Sequence, residues 1–155
     1  MKNNIGLDIQ KSQELAVLLN DLLANYQVFY QNMRGFHWNV KGNKFFELHL
    51  KFEELYNDAV LKIDEIAERI LTLQGVPLHT FEAYLKQSTI KSVEKDKVDG
   101  SIIPTVIENF SVLISKERAI LSIAAEAGDE GTVSQMSDYI TQTEKTVWML
   151  NAYLG

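Results

Sequence analysis

His37 and His49 stand on either side of Val40-Lys-Gly42-Asn43, a stretch that reads as the connection between two helices. Carboxylates follow them at helical spacing. His49 and Glu53 are four residues apart and share a helix face, as do Asp64 and Glu68 further along the same segment. Imidazole and carboxylate together suit Fe(II), Zn(II) or Mn(II) better than soft metals, which prefer sulfur. The chain has no cysteine, so thiolate ligands and disulfides are excluded. Folding the two helices back antiparallel brings the imidazoles near each other. The chemistry these residues point to is a metal centre.

Helix geometry limits that centre. On one helix His49 and Asp64 lie ~22 Å apart along the axis, and Glu53 and Asp64 ~16 Å. A metal ion holds its ligands within ~2–2.6 Å, so no single ion spans both clusters of one chain. Either the clusters are unrelated, or they meet across a symmetry axis. In a twofold dimer His37, His49 and Glu53 of one chain would face Asp64 and Glu68 of another, giving two equivalent sites. Plainer readings stand beside this one. A histidine near a helix end often caps or edges the core. Glu53, Glu54, Asp64, Glu65 and Glu68 form a solvated face in that view, with Asp64 or Glu68 paired to Lys62 or Arg69. His79, after Pro77, reads as structural. Trp38 beside His37 is either packing or a ring able to intercept an electron.

The elements that must position these residues are helical. Apolar side chains recur at three- and four-residue steps from Leu15 to Met33, predicting a first helix from an N-cap at Asp8 towards His37. A second helix is predicted from about Lys44, with Asn43 as a candidate cap, to Leu73, stopped by Gly75-Val-Pro77. Leu78 to Gly100 reads as a long crossover with a short helix at Phe81–Lys86. A third helix spans about Ser101 to Ala127 with Pro104 in its first turn. Gly128-Asp-Glu-Gly131 breaks the pattern, and Thr132 can cap a fourth helix ending near Leu154. Two helices, a long crossover carrying a short extra helix, and two more helices predict an all-α, ferritin-like four-helix bundle.

Residues 1–155 fit a single domain, with 1–8 a short flexible lead-in. Hydrophobic content of 46% with 23% charged residues is that of an ordinary globular protein. Neither a signal peptide nor a membrane span is expected, which points to the cytoplasm. A net charge of −6 disfavours contact with phosphate backbones.

With those residues in view, the chain resembles the Dps family, mini-ferritins that protect DNA in starved cells. The resemblance rests on His37-Trp38-Asn39-Val40-Lys41-Gly42, Phe45, His49, Glu53 and Asp64-Glu65-Ile66-Ala67-Glu68-Arg69, whose spacings follow the family signature throughout. It implies a hollow dodecameric shell of one protein, with two ferroxidase sites at each twofold interface. His37, His49 and Glu53 would come from one subunit, Asp64 and Glu68 from its neighbour. Fe(II) would be oxidised there, preferentially with hydrogen peroxide, and stored as ferric mineral, protecting against oxidative stress. Zinc or manganese in the same site stays open. Trp38 matches the family's site-adjacent tryptophan, which strengthens its reading as a catalytic electron trap. Glu126, Asp129 and Glu130 resemble acids lining threefold pores that admit iron.

Two departures matter. Several family members have Asp where Glu53 stands. Met1 to Asp8 holds only Lys2, and Asn151 to Gly155 holds no basic residue, so a lysine-rich DNA-binding tail is not expected. The alternatives are a DNA-binding nucleoid protein with incidental metal and an inactive structural oligomer. Ferritins proper fit less well, because no Glu is followed three residues later by His.

Overall fold

Asp8 opens the first helix: its carboxylate accepts the backbone N–H of Lys11 at 3.1 Å, satisfying a donor that a helix start leaves over. α1 then runs Ile9–Asn39, and its periodic apolar positions, from Leu15 through Leu22 and Phe29 to Phe36, are buried. In the computed structural model, which describes every residue except Gly100, α2 (Phe45–Thr72) returns alongside α1. α3 (Phe81–Gln87) and a 3₁₀ turn (Lys95–Lys97) lie in the crossover, followed by α4 (Ile103–Glu126) and α5 (Glu130–Leu154). α4 packs along α5, and α1 faces α4. This is the bundle with a long crossover that the periodicity predicts. Among the described residues no strand occurs, and no helix is long and apolar enough to cross a membrane.

Several boundaries differ from expectation, each for a local reason. Asn43 does not cap α2; Lys44 holds that position without a side-chain bond, and the turn is closed instead by Phe45 N–H donating to the Gly42 carbonyl at 3.2 Å. α5 begins at Glu130, because Asp129 rather than Thr132 is the cap and accepts the Thr132 N–H at 3.0 Å. Ser101 lies outside α4, its N–H held by Asp99 at 2.7 Å. The expected end of the crossover at Gly100 falls outside the described residues. Residues 1–8 lie back against the start of α1, with Ile9 N–H on the Met1 carbonyl at 3.0 Å and Asn3 bonded to Ser12 at 3.2 Å.

The crossover is tied down by two buried asparagines two turns apart on α1. Asn25 Oδ1 accepts from the N–H groups of Thr89 and Ile90 at 3.1 and 3.0 Å and from the hydroxyls of Ser88 and Thr89. Asn32 accepts from Val93 N–H at 3.1 Å and donates to the Lys91 carbonyl at 2.9 Å. An extended segment crossing a helical bundle has no ladder of its own, so these amides supply its backbone partners. Asn25→Ala would leave buried donors unpaired, and we expect a loss of about 1–3 kcal/mol, read as a lower denaturant midpoint at unchanged slope.

Candidate metal centre

The turn between α1 and α2 fixes the two histidines against each other. Gly42 takes φ +105°, a left-handed conformation that a side chain would strain, and lets α2 double back at once. The imidazoles then stack with centroids 3.8 Å apart and ring planes 13° from parallel. Their Nδ1 atoms are committed reciprocally: His37 Nδ1 lies 2.6 Å from the His49 carbonyl oxygen, and His49 Nδ1 lies 2.7 Å from that of His37. A carbonyl only accepts, so both Nδ1 atoms carry the proton and both Nε2 atoms present lone pairs. His37 belongs to the last turn of α1, where carbonyls lack helical partners, and the His49 ring satisfies one of them. Metal-binding histidines are commonly set up this way, with the far nitrogen donating to a carbonyl.

Glu53, Asp64 and Glu68 all have side chains free of hydrogen bonds and ion pairs among the described residues, and Asp64 and Glu68 are exposed. The cations that a solvated-face reading assigns to them point elsewhere. Lys62 is buried and pairs with Asp58, also donating to Gln142 at 3.1 Å. Arg69 turns to α5, where it donates to Asp129 at 2.5 Å and Thr132 at 2.9 Å, its guanidinium passing where a Cβ on Gly131 would sit. Of the remaining carboxylates, Glu54 pairs with Lys51 at 2.7 Å and Glu65 accepts from the Tyr139 hydroxyl at 2.6 Å.

One chain does not assemble a metal site: among the described residues no three of His, Asp and Glu are gathered to hold an ion. α2 is continuous from Phe45 to Thr72, so His49 and Asp64 do lie ~22 Å apart on its axis. Yet the positions are symmetrically disposed. The pairs His49/Glu68 and Glu53/Asp64 share one midpoint, between Asp58 and Ala59. Glu53, Asp64 and Glu68 also share the outward face of α2 with Phe46, Leu50 and Leu61, large apolar side chains left exposed, Phe46 at 85%.

The bundle interior holds polar groups that the sequence reading did not single out. Glu117 on α4 is fully buried; its Oε1 accepts from the Tyr26 hydroxyl at 2.6 Å, and its Oε2 has no partner among the described residues. Lys62 enters from α2 and lies over the Tyr139 ring at 5.2 Å. An ammonium there, with one buried carboxyl, makes no cation-binding cluster. Only the pairing of a tyrosine on α1 with a mid-helix glutamate could have hinted at it.

Burial pushes the Glu117 carboxyl up from its ordinary 4.5 to about 7, against the opposing pull of the Tyr26 hydrogen bond and Lys62; nearby Asp58 also raises it. Because the folded pKa lies above the unfolded one, this group's stabilisation is complete below about pH 4.5. It is lost as pH rises to about 7. The loss is on the order of 3 kcal/mol per chain. Glu117→Gln keeps an acceptor for Tyr26 and should flatten this decline. The check is a comparison of denaturant midpoints for both proteins at about pH 5 and about pH 7.5.

The other expected residues are placed as follows. Of the three acids expected at a pore, Glu126 and Glu130 are exposed, whereas Asp129 is 2% exposed and its carboxylate holds Arg69 and the α5 cap. Trp38 is 58% exposed and has no ring contact with either histidine among the described residues. The Arg34 guanidinium lies 4.8 Å from its centroid.

Residues 16–155 match the family described as ferritin-like domain. A Porphyromonas gingivalis protein named DNA protection during starvation protein is 44% identical over 156 residues, covering 99% of this chain and 98% of that one. The crystal structure of a Vibrio cholerae O1 Dps protein, described as a member of a broad superfamily of ferritin-like diiron-carboxylate proteins, is 57% identical. It covers 99% of this chain and 97% of that chain, with a TM-score of 0.96. A Dps structure from Bacillus brevis covers both chains fully at 38% identity and a TM-score of 0.91. With its two stacked histidines and the outward carboxylates of α2 set on this shared scaffold, the chain belongs to the Dps family of ferritin-like proteins.

Proposed function

We propose that the protein is a ferroxidase and iron store whose centres are completed between subunits. Fe(II) is the metal it oxidises, hydrogen peroxide is the preferred oxidant, and the ferric product is kept inside a dodecameric shell. The observation that carries this reading is the shared midpoint of His49/Glu68 and Glu53/Asp64 on one helix face whose carboxylates have no partner in their own chain. When two α2 helices cross antiparallel at that midpoint, each copy's histidine end meets the other's Asp64 and Glu68. Exposed Phe46, Leu50 and Leu61 on the same face supply the apolar area such a contact buries. Two centres result.

The donor set fits iron. The Nε2 lone pairs of His37 and His49 and the carboxylates of Glu53, Asp64 and Glu68 are borderline and hard donors, which accommodate Fe(II) and Fe(III) better than thiolate-preferring metals. Carboxylates without ion pairs are free to shift between one and two metal contacts as the charge rises. The Nδ1 hydrogen bonds hold both rings in place, so their Nε2 atoms need no reorganisation to meet a metal. Peroxide takes electrons in pairs: two Fe(II) become two Fe(III) and one hydrogen peroxide becomes two hydroxide ions, so no hydroxyl radical is released. The same donors also take zinc or manganese. DNA is protected in this reading by removing iron and peroxide, and the net charge of −6 gives a duplex little to bind.

His49→Ala should leave assembly intact and slow peroxide-driven iron oxidation by at least the about 10–100-fold that follows loss of a mere supporting partner of a ligand. An unchanged rate would remove His49 from the ligand set. Sharing between subunits has its own test: a His37→Ala/His49→Ala chain and an Asp64→Asn/Glu68→Gln chain are each inactive alone. Co-assembled from the unfolded state, they should regain oxidation, because each mixed pair restores one whole centre; no recovery would mean that the centre is not shared. In a mobility-shift assay at physiological salt, duplex DNA should run unretarded beside the protein, and a retained complex would favour the nucleoid-protein reading.

A further inference from the structure

A cation sits at the edge of the bundle, and its surroundings call for more charge than it carries. Lys62 is 4% exposed, and its ammonium is held from two helices. It pairs with Asp58 one turn earlier on α2, donates to the Gln142 side-chain oxygen on α5 at 3.1 Å, and lies over the Tyr139 ring at 5.2 Å. α4 contributes Glu117, which has no exposed surface. Tyr26 donates to its Oε1 at 2.6 Å, and its Oε2 has no partner among the described residues. From α2, the charges of Lys62 and Asp58 both act on Glu117. Arg118, the other cation acting on it, is exposed and pairs with Glu144 at 3.0 Å. One ammonium therefore answers two carboxylates, and a buried carboxylate oxygen is left over. A cleft of about 280 Å³ between α2 and α5, lined by Glu54, Asp58, Lys62, Gln142, Thr143 and Thr146 among others, meets this cluster. Glu54 and Asp58 are both about half exposed, so the cleft is open to solvent at that side.

We infer that Lys62 stands in for a metal ion: the oxygens of Asp58, Gln142 and Glu117 form a divalent-cation site that the ammonium keeps closed. The donors are two carboxylates and an amide carbonyl, with no nitrogen or sulfur, a set that suits magnesium or manganese. Such ions keep several waters when few protein ligands meet them, and the cleft supplies room for those. A divalent ion brings twice the charge of the ammonium and matches both carboxylates, including the oxygen that Lys62 leaves unpaired. The ammonium nevertheless prevails, because it is tethered to α2 and is present in every folded chain, whereas a dissolved ion has to displace it. Lys62 is thereby a specificity-determining residue, deciding that metal meets the outward carboxylates of α2 and not the oxygens between the helices. The closed site does not depend on the iron-oxidising reading; only this consequence for where iron goes rests on it.

The test uses the assembled protein with His37→Ala and His49→Ala in place, so that the histidine centre takes no part. Manganese(II) is titrated in, and the free ion is counted from its six-line electron paramagnetic resonance signal. The Lys62→Ala chain should bind one more manganese than the same chain with Lys62, and adding Glu117→Gln should abolish that gain. Lys62→Arg, which keeps the positive charge, should show no gain. Manganese should also raise the thermal midpoint of the Lys62→Ala chain and leave that of the Lys62→Arg chain unmoved. Lys62→Gln fills more of the space and serves the same comparison should Lys62→Ala not fold. No added manganese in either neutral variant would overturn the inference, and so would a gain that survives Glu117→Gln, since the ion would then lie outside the bundle. Peroxide-driven iron oxidation, read separately with both histidines intact, tests the other reading and leaves this outcome untouched.

Discussion

The reciprocal hydrogen bonds between His37 and His49 constrain the rest of the site. Each ring gives its Nδ1 proton to the other residue's backbone carbonyl, at 2.6 and 2.7 Å. Four things are set together by that exchange: both tautomers, both ring rotations, the tightness of the Gly42 turn, and the register of α2 against α1. The register then propagates. Seven residues back along α1 and seven forward along α2, Tyr30 faces Tyr56 at 6.1 Å, and Phe36 faces Phe52 at 5.5 Å. A slip of one residue would cost the two charge-neutral hydrogen bonds and break the aromatic ladder. Lone pairs for a metal and the order of the rings beside it follow from one backbone turn.

The second constraint is where positive charge goes. α2 carries Lys62 two residues before Asp64 and Arg69 one after Glu68, spacings that put neither cation beside those carboxylates on a helix. In the folded chain both cations are held elsewhere. Arg69 finds a buried carboxylate and a hydroxyl at the start of α5, a bidentate site preorganised by the α5 cap. Lys62 goes inward to Asp58, Gln142 and the Tyr139 ring. Exposed pairs contribute little, so diverting both cations to buried or half-buried partners costs the surface almost nothing. The outward carboxylates are left bare, beside apolar side chains that a lone chain does not cover.

The helices were legible because their apolar steps are long and regular, and Asp8 was legible as a cap because its chemistry allows little else there. The separation of Glu53 from Asp64 was legible too, since rise per residue on a continuous helix is nearly invariant. What escaped was decided by tertiary competition. Thr132 looked like the cap of the last helix, but Asp129 three residues earlier serves both the helix start and Arg69, and no local pattern ranks those two. The same ion pair buries Asp129, while Glu126 and Glu130 beside it stay exposed. The hold of Asn25 and Asn32 on the crossover was invisible because asparagine within a helix has no periodic signature. Residue types at the site were readable, but the direction of Trp38 was not: adjacency to His37 in sequence places it about 100° round the helix, in contact with Arg34 instead of the imidazoles.

Taken together, three faces of α2 explain why the centre is proposed outside the bundle. One face, through Phe52, Ala59 and Ile66, packs the core. A second, through Lys62, Glu65 and Arg69, meets side chains of α5 and its cap. The third carries Glu53, Asp64 and Glu68, carboxylates without a partner among the described residues. Lys62 places its ammonium in the bundle, where the field of Glu117 would otherwise draw a cation, and so makes the interior a poor competitor for metal. With the interior closed and the outward donors too far apart along one axis, a chain on its own has half a site. In the proposed reading assembly and chemistry are a single requirement: whatever brings two α2 helices together would also complete the donor set.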